Sequence, residues 1–220
     1  METPVVIPES PTSNRPMNRR ETLAVFSFTG MAWMFAPTAA AASPKVITPT
    51  ATAKRTAAAR QISTSLADVP DEWMARNRSN ADAYLKYLGD LKLRCVDPAR
   101  VVAAHAKKRR HVWNTLPPKA WWVRMGYTLR VVDRIALMMK ADEVEITSAY
   151  RCPSYNRLCP GAKSGSYHQA NCALDVRFPF RASQVTAYAR NVRDRGLFKG
   201  GVGGYWNFTH IDTRGENTNW

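Results

Sequence analysis

The apolar residues of this 220-residue chain change their spacing near residue 144, and that change restricts the folds open to it. Before it, Tyr84, Leu85, Leu88 and Leu91 recur at helical intervals, as do Trp122, Met125, Leu129, Val132, Ala136 and Met139. After it, Val144-Glu145-Ile146-Thr147-Ser148-Ala149-Tyr150 alternates and is rich in β-formers, and Ala173 to Phe178 has the same character. Gly200 to Tyr205 and Phe208 to Asp212 then form a hairpin or adjacent strands. Helices followed by strands predict an α+β domain, a helical N-terminal part packed on a small antiparallel sheet.

Local signals set the expected boundaries. Order begins near Asp71-Glu72-Trp73, and a first helix starts at Ser79 to Asp82. Asp97 caps a second helix with Pro98 in its first turn, running to about Trp113. Pro117-Pro118 breaks the chain before a third helix at 119–141. Ser183 caps a fourth, with Val185, Tyr188, Ala189 and Val192 inward and Gly196 at its end. Residues 71–220 are thus one domain, helical over 71–141 and sheet-based over 142–220.

What precedes that domain has a different composition. Asn18-Arg19-Arg20-Glu21 leads into an uncharged, mostly apolar run from Thr22 to Ala36, followed by Pro37 and small residues to Ala42. A basic start, a short apolar stretch and an Ala-x-Ala exit predict a secretory signal over residues 1–42, too short and too interrupted to span a membrane. The paired arginines suggest twin-arginine export, with ordinary Sec export as the other route. Residues 43–70, rich in Ala, Thr, Ser and Pro, read as a disordered linker. The expected location is therefore outside the cytoplasm, in the periplasm or cell envelope.

The formal charge of +15 lies in the domain and linker, because acidic and basic residues balance over 1–42. Such a surface is drawn to polyanions. Export argues against nucleic acid and for an anionic wall or membrane surface, with Lys107-Lys108-Arg109-Arg110-His111 as a solvated helix face that helps adhesion. In an exported protein the four cysteines predict two disulfides from three possible pairings. Cys152 and Cys159 are spaced to staple a local loop, which leaves Cys95 for Cys172.

Three residues carry the chemistry. His168 and Asp175 lie in the run from Ser166 to Asp175, and His210 lies in Phe208-Thr209-His210-Ile211-Asp212. Asn171 sits at a tight turn, where it tolerates left-handed backbone better than most residues. With His168 on a Gly/Ser-rich loop, Asp175 on the following strand and His210 on a later one, all three can meet. Two imidazoles and a carboxylate give Zn²⁺ three ligands and leave a fourth position open, as in hydrolytic rather than structural sites. Asp212 shares a strand face with His210, either beside the metal as general base or behind the imidazole as its orienting partner. Trp206 is near enough in sequence to line a substrate groove.

The runs Ser148 to Asp175 and Gly200 to Gly215 resemble the zinc D-Ala-D-Ala carboxypeptidases and murein endopeptidases of peptidase family M15. The family pattern Ser-x-His-x-x-Gly-x-Ala-x-Asp is matched by Ser166, His168, Ala173 and Asp175, with Asn171 in place of the glycine. The resemblance covers about the last 80 residues. It implies a Hedgehog/DD-peptidase-like zinc domain, with His168, Asp175 and His210 as ligands and Arg151 holding substrate near the metal. Ser166 would contact substrate or orient the loop. Many members carry a carboxylate three residues before the last histidine, where this chain has Asn207. The implied activity is hydrolysis of peptidoglycan stem peptides, as carboxypeptidase or cross-link endopeptidase; separately, the chain is expected to be a monomer. The alternative is a non-catalytic, zinc-containing wall-binding module.

Overall fold

The computed structural model describes residues 66–220. The expected signal over 1–42 and most of the linker lie outside the described residues. Within them the chain is α+β, as its apolar spacing predicts.

Helix α1 spans Asp71–Asp90 behind Pro70, with Asp71 and Glu72 at its positive end. Ser79 to Asp82 lies inside this helix and does not start it, because Trp73 and Met74 already belong to its buried stripe with Ala81, Tyr84 and Leu88. The last linker residues are also packed: Val69 is buried and Leu66 lies against the core.

Helix α2, Pro98–His105, opens as expected, the Asp97 carboxylate accepting the Ala99 N–H at 2.9 Å. It stops eight residues before Trp113. Residues 108–113 form an antiparallel hairpin instead, β1 Lys108–Arg109 and β2 Val112–Trp113, turning through Arg110 at φ 52°. The basic run is therefore a hairpin, and the helical reading of it is corrected.

A 3-10 turn at Lys119–Trp121 leads into α3, Trp122–Met138, which buries Met125, Leu129, Val132 and Ile135 and leaves a stripe of Val123, Tyr127, Arg130 and Arg134 exposed. Its Asp133 is a hidden anchor: one carboxylate oxygen accepts the N–H groups of Arg94, Cys95 and Val96 at 2.9, 2.7 and 3.2 Å. That satisfies three donors of a buried turn at once.

The five-stranded sheet has the order β3-β4-β6-β5-β7, with β3 Glu145–Ser148, β4 Ala173–Arg177, β5 Gly201–Gly204, β6 Thr209–Asp212 and β7 Thr218–Asn219. All neighbours are antiparallel except β5 and β7, so the sheet is mixed, a small departure from the all-antiparallel expectation. Leu174, Val176, Val202 and Ile211 point into the helical core, and α5, Ala182–Asp194, packs Val185, Ala189 and Val192 there. Arg181 and not Ser183 holds the α5 N-cap, whereas Gly196 follows the helix at φ 93° as expected. The short α4, Pro153–Asn156, belongs to a separate small cluster of Tyr150, Cys152 and Tyr155.

No disulfide links the four cysteines, so neither predicted pairing is formed. Each of three thiols has a local partner instead: Cys152 with Ser154 Oγ, Cys159 with the Tyr155 carbonyl and Cys172 with the Tyr167 carbonyl. Cys95 is built into the turn under Asp133. Burial, and then the Asp212 charge, push the Cys172 thiol up to about 11.

Candidate metal centre

Strand register assembles the site on the face of the sheet opposite the helical core. Asp175 is paired with His210 across β4 and β6, and with Ser148 across β3 and β4. An irregularity between Ile146 and Ser148 puts Ser148, and not Thr147, opposite Asp175. Such a bulge re-aims the strand end, and it brings Arg151 round to the same carboxylate. His168 arrives from the turn-rich loop before β4. Asn171 closes that loop at φ 56° and donates from its amide to the Trp121 carbonyl at 2.9 Å. Asparagine tolerates the left-handed region, so the turn is made without a glycine.

His168, Asp175 and His210, all buried, offer ligand atoms that lie within 4.8 Å of one another. Their other contacts bear on the tautomers. His168 Nδ1 lies 2.7 Å from the Ala149 carbonyl, which only accepts, so Nδ1 carries the proton and Nε2 is bare. His210 has a carboxylate on each side, Asp212 Oδ2 at 3.1 Å from Nε2 and Asp175 Oδ1 at 2.8 Å from Nδ1, and with Nε2–H donating to Asp212 its Nδ1 can serve as a ligand. His168 Nε2 and His210 Nδ1 both face Asp175 Oδ1, at 3.2 and 2.8 Å, and each donates to it when protonated. Three ligand atoms thus gather in one place, where a cation could replace the shared protons. The donor set fits a divalent metal with nitrogen and oxygen preference.

The electrostatics agree. Burial alone would raise the Asp175 carboxyl, but the charge and hydrogen bonds of His168 and His210 hold it far below the usual range. Burial lowers His168, with Asp175 opposing. At His210 burial also acts downward, yet hydrogen bonds to Asp175 and Asp212 outweigh it and raise the imidazole. The pocket is tuned for positive charge between these groups.

Arg151 Nη2 donates to Asp175 Oδ2 at 2.7 Å and Nε donates to Ser148 Oγ at 2.8 Å. It therefore secures the carboxylate oxygen that the histidines leave unused, while Nη1 has no hydrogen-bond partner among the described residues.

Asp212 is fully enclosed, at 0% exposure. Its oxygens accept from Arg214 Nε and Nη2 at 2.8 and 2.5 Å, and from the Gly201 and Arg214 N–H groups at 3.0 and 3.1 Å. The Arg214 guanidinium lies 3.9 Å from the Tyr167 ring centroid and 5.1 Å from that of Trp220. Trp220 also tilts against His210 at 5.1 Å between centroids, and a Cβ on Gly203 would collide with its indole. Arg214, Tyr167 and Trp220 were not singled out from sequence. The two-residue step from Asp212 to Arg214 was the available signal, and for Trp220 it was the glycine run of β5.

Two expected site residues stand apart. Trp206 is 97% exposed at the turn between β5 and β6 and does not join the cluster. Ser166 forms a turn in which its carbonyl accepts the Gln169 N–H, and its hydroxyl bonds none of the three site residues. Asn207 is exposed, and its carbonyl accepts from Arg177. No carboxylate other than Asp175 and Asp212 hydrogen-bonds a site histidine among the described residues.

Residues 116–212 match the family model described as Peptidase M15, a span that includes all three converging ligands. No curated protein and no solved structure matches the chain.

Proposed function

From the membership of residues 116–212 in peptidase family M15, we propose that this peptidase is an exported zinc enzyme that hydrolyses amide bonds in peptidoglycan stem peptides. The observation that carries the reading is the gathering of two imidazoles and the Asp175 carboxylate in one place. The basic domain, suited to an anionic wall, and the secretory pattern of residues 1–42 support the substrate class and the location.

Zn²⁺ bound there supplies Lewis acidity, lowering the pKa of water to about 7 and polarising a carbonyl. The chain's own residues do the rest. His168 and His210 can each present a lone pair, their other ring nitrogens donating to Ala149 and Asp212. Arg151 fixes Asp175 through Oδ2, which leaves Nη1 to donate to a substrate carboxylate or oxyanion. Asp212, enclosed and saturated by Arg214 and Gly201, is read as the orienting partner of His210 and not as the general base. The same enclosed Asp212 and the exposed Asn207 favour a second reading, a zinc-holding wall-binding module without turnover.

Mass spectrometry of muropeptides incubated with wild type, His168→Ala and chelated protein tests the proposal. The wild type should remove a terminal residue or open a cross-link, and both controls should leave the digest unchanged. An unchanged digest with metal-loaded wild type would select the wall-binding reading.

A further inference from the structure

The basic hairpin is rooted on the arginine of the site. Asn114 is buried at its base, where its backbone N–H donates to the Lys107 carbonyl at 2.8 Å and closes the hairpin. Its side chain then grips both neighbours of Arg151: Nδ2 donates to the Tyr150 carbonyl at 2.9 Å, and Oδ1 accepts the Cys152 N–H at 2.8 Å. One asparagine therefore fixes the position of the hairpin relative to Arg151.

The consequence is a corner of positive charge beside the metal ligands. Lys107 Nζ donates at 2.5 Å to the carbonyl of Thr147, the residue bulged out beside Ser148. Thr147 in turn donates from its hydroxyl to the Asp175 carbonyl at 2.9 Å. The Arg109 guanidinium lies 5.9 Å from the Tyr155 ring centroid, and Tyr155 feels both Arg109 and Arg151. Burial lowers the Lys107 ammonium, and Arg151 and Arg109 lower it further against the pull of Glu145 and Asp175. Both of those carboxylates are engaged elsewhere, Glu145 with Arg177 at 3.3 Å and Asp175 with Arg151 and the histidines. Lys107, tied through Thr147 to the Asp175 backbone, and Arg109, over Tyr155, add positive charge beside Arg151. The charge of Arg151 is itself shared with Asp175, and together the three can receive an anion.

We propose that Lys107 and Arg109, with Arg151, form a carboxylate subsite that selects peptides with a free acid group on the hairpin side of the scissile amide, and discriminates against the same peptides in carboxamide form. The proposal rests on the peptidase reading above and adds a specificity element from residues 107–109, which precede the family-matched span of 116–212. A carboxylate meeting this corner forms charge-assisted hydrogen bonds, whereas a carboxamide gains no ionic attraction and turns its N–H₂ towards like donors.

Equilibrium binding by calorimetry tests this with two probes, a purified stem-peptide muropeptide with free carboxylates and its carboxamide counterpart. The proteins compared are wild type made metal-free with chelator, used to stop turnover, and the same metal-free chain with Lys107→Gln and Arg109→Gln added. An Arg110→Gln control on the same hairpin, and thermal melts of every variant, show whether the fold is kept. The parent should bind the free-acid probe about tenfold more tightly than the amide. The added double substitution should erase that preference, and Arg110→Gln should keep it. A preference that survives the double substitution in a folded protein overturns the subsite and leaves the peptidase reading standing. A parent that binds neither probe, when wild type also leaves them uncut, overturns both.

Discussion

Asp175→Asn is expected to cause the largest functional loss of any conservative substitution in the chain. The carboxylate serves three partners: Oδ1 faces one nitrogen of each imidazole, and Oδ2 takes Arg151. An amide of the same shape can supply only one acceptor oxygen, and its N–H₂ must point either at Arg151 or at the histidines. If the oxygen keeps Arg151, the metal loses its anionic ligand. If it turns inward, two donors oppose each other across a nearly buried contact. Outer partners of metal ligands already change metal affinity by about 10–100-fold, so a direct ligand should cost about 100-fold or more. Muropeptide turnover should fall by about a thousandfold. Urea unfolding in the presence of chelator should also show a loss of about 3 kcal/mol, because Arg151 is left without its charge partner. A variant that keeps both turnover and chelator-resistant metal would remove Asp175 from the site.

The second large effect concerns stability and acid. His105 is completely buried at the end of α2, and neither ring nitrogen reaches a partner with good hydrogen-bond geometry. Around it are the unpartnered hydroxyl of Tyr84, with ring centroids 5.6 Å apart, the Tyr150 ring at 6.4 Å and the Lys107 ammonium. Burial pushes the imidazole down to about 4, while the nearby Tyr150 backbone opposes weakly and Lys107 assists. The unfolded chain takes up a proton near 6.5, whereas the folded chain resists until about 4. Between those values the unfolded state binds more protons, so stability is complete above 6.5 and is lost as pH falls towards 4. The window is worth about 3 kcal/mol. Urea unfolding of wild type and His105→Leu at pH 7.5 and pH 4 measures it. The wild type should lose about 3 kcal/mol more than the variant. Parallel losses would show that His105 does not titrate in this way. At pH 7.5 the leucine should be tolerated, since it removes two buried polar atoms without partners.

His168 and Asp175 were legible as candidate ligands because their spacing is tied to local structure. A loop histidine, a left-handed Asn171 and an alternating strand bring His168 and Asp175 together without help from distant parts of the chain. His210 joins them through the long-range pairing of β4 and β6, and was legible only from its own run, Phe208 to Asp212. Features set by distant contacts were not legible. The basic run after α2 looks helical by composition, and its turn at Arg110 and His111 carries none of the usual glycine or asparagine signals. It folds back because Asn114 is held by Tyr150 and Cys152, some 36 and 38 residues away. Asp133 likewise looks like a solvent-facing helical residue until the turn at 94–96 is laid against it. The start of α1 was missed because Asp71 and Glu72 work through the helix dipole rather than through a capping side chain. The role of Asp212 was left open by sequence, since two residues on one strand face suit a base and an orienting partner equally. Arg214, clamped between Tyr167 and Trp220, occupies the carboxylate from the other side and favours the second.

The claim on which the rest depends is that His168, Asp175 and His210 hold a single divalent ion, and native mass spectrometry during zinc titration measures it directly. Wild type should take up one Zn²⁺ per chain and keep it against a weak chelator, and His168→Ala and His210→Ala should each bind none under the same conditions. A wild-type chain that stays metal-free, or a His210→Ala chain that holds zinc as tightly as wild type, would contradict the account.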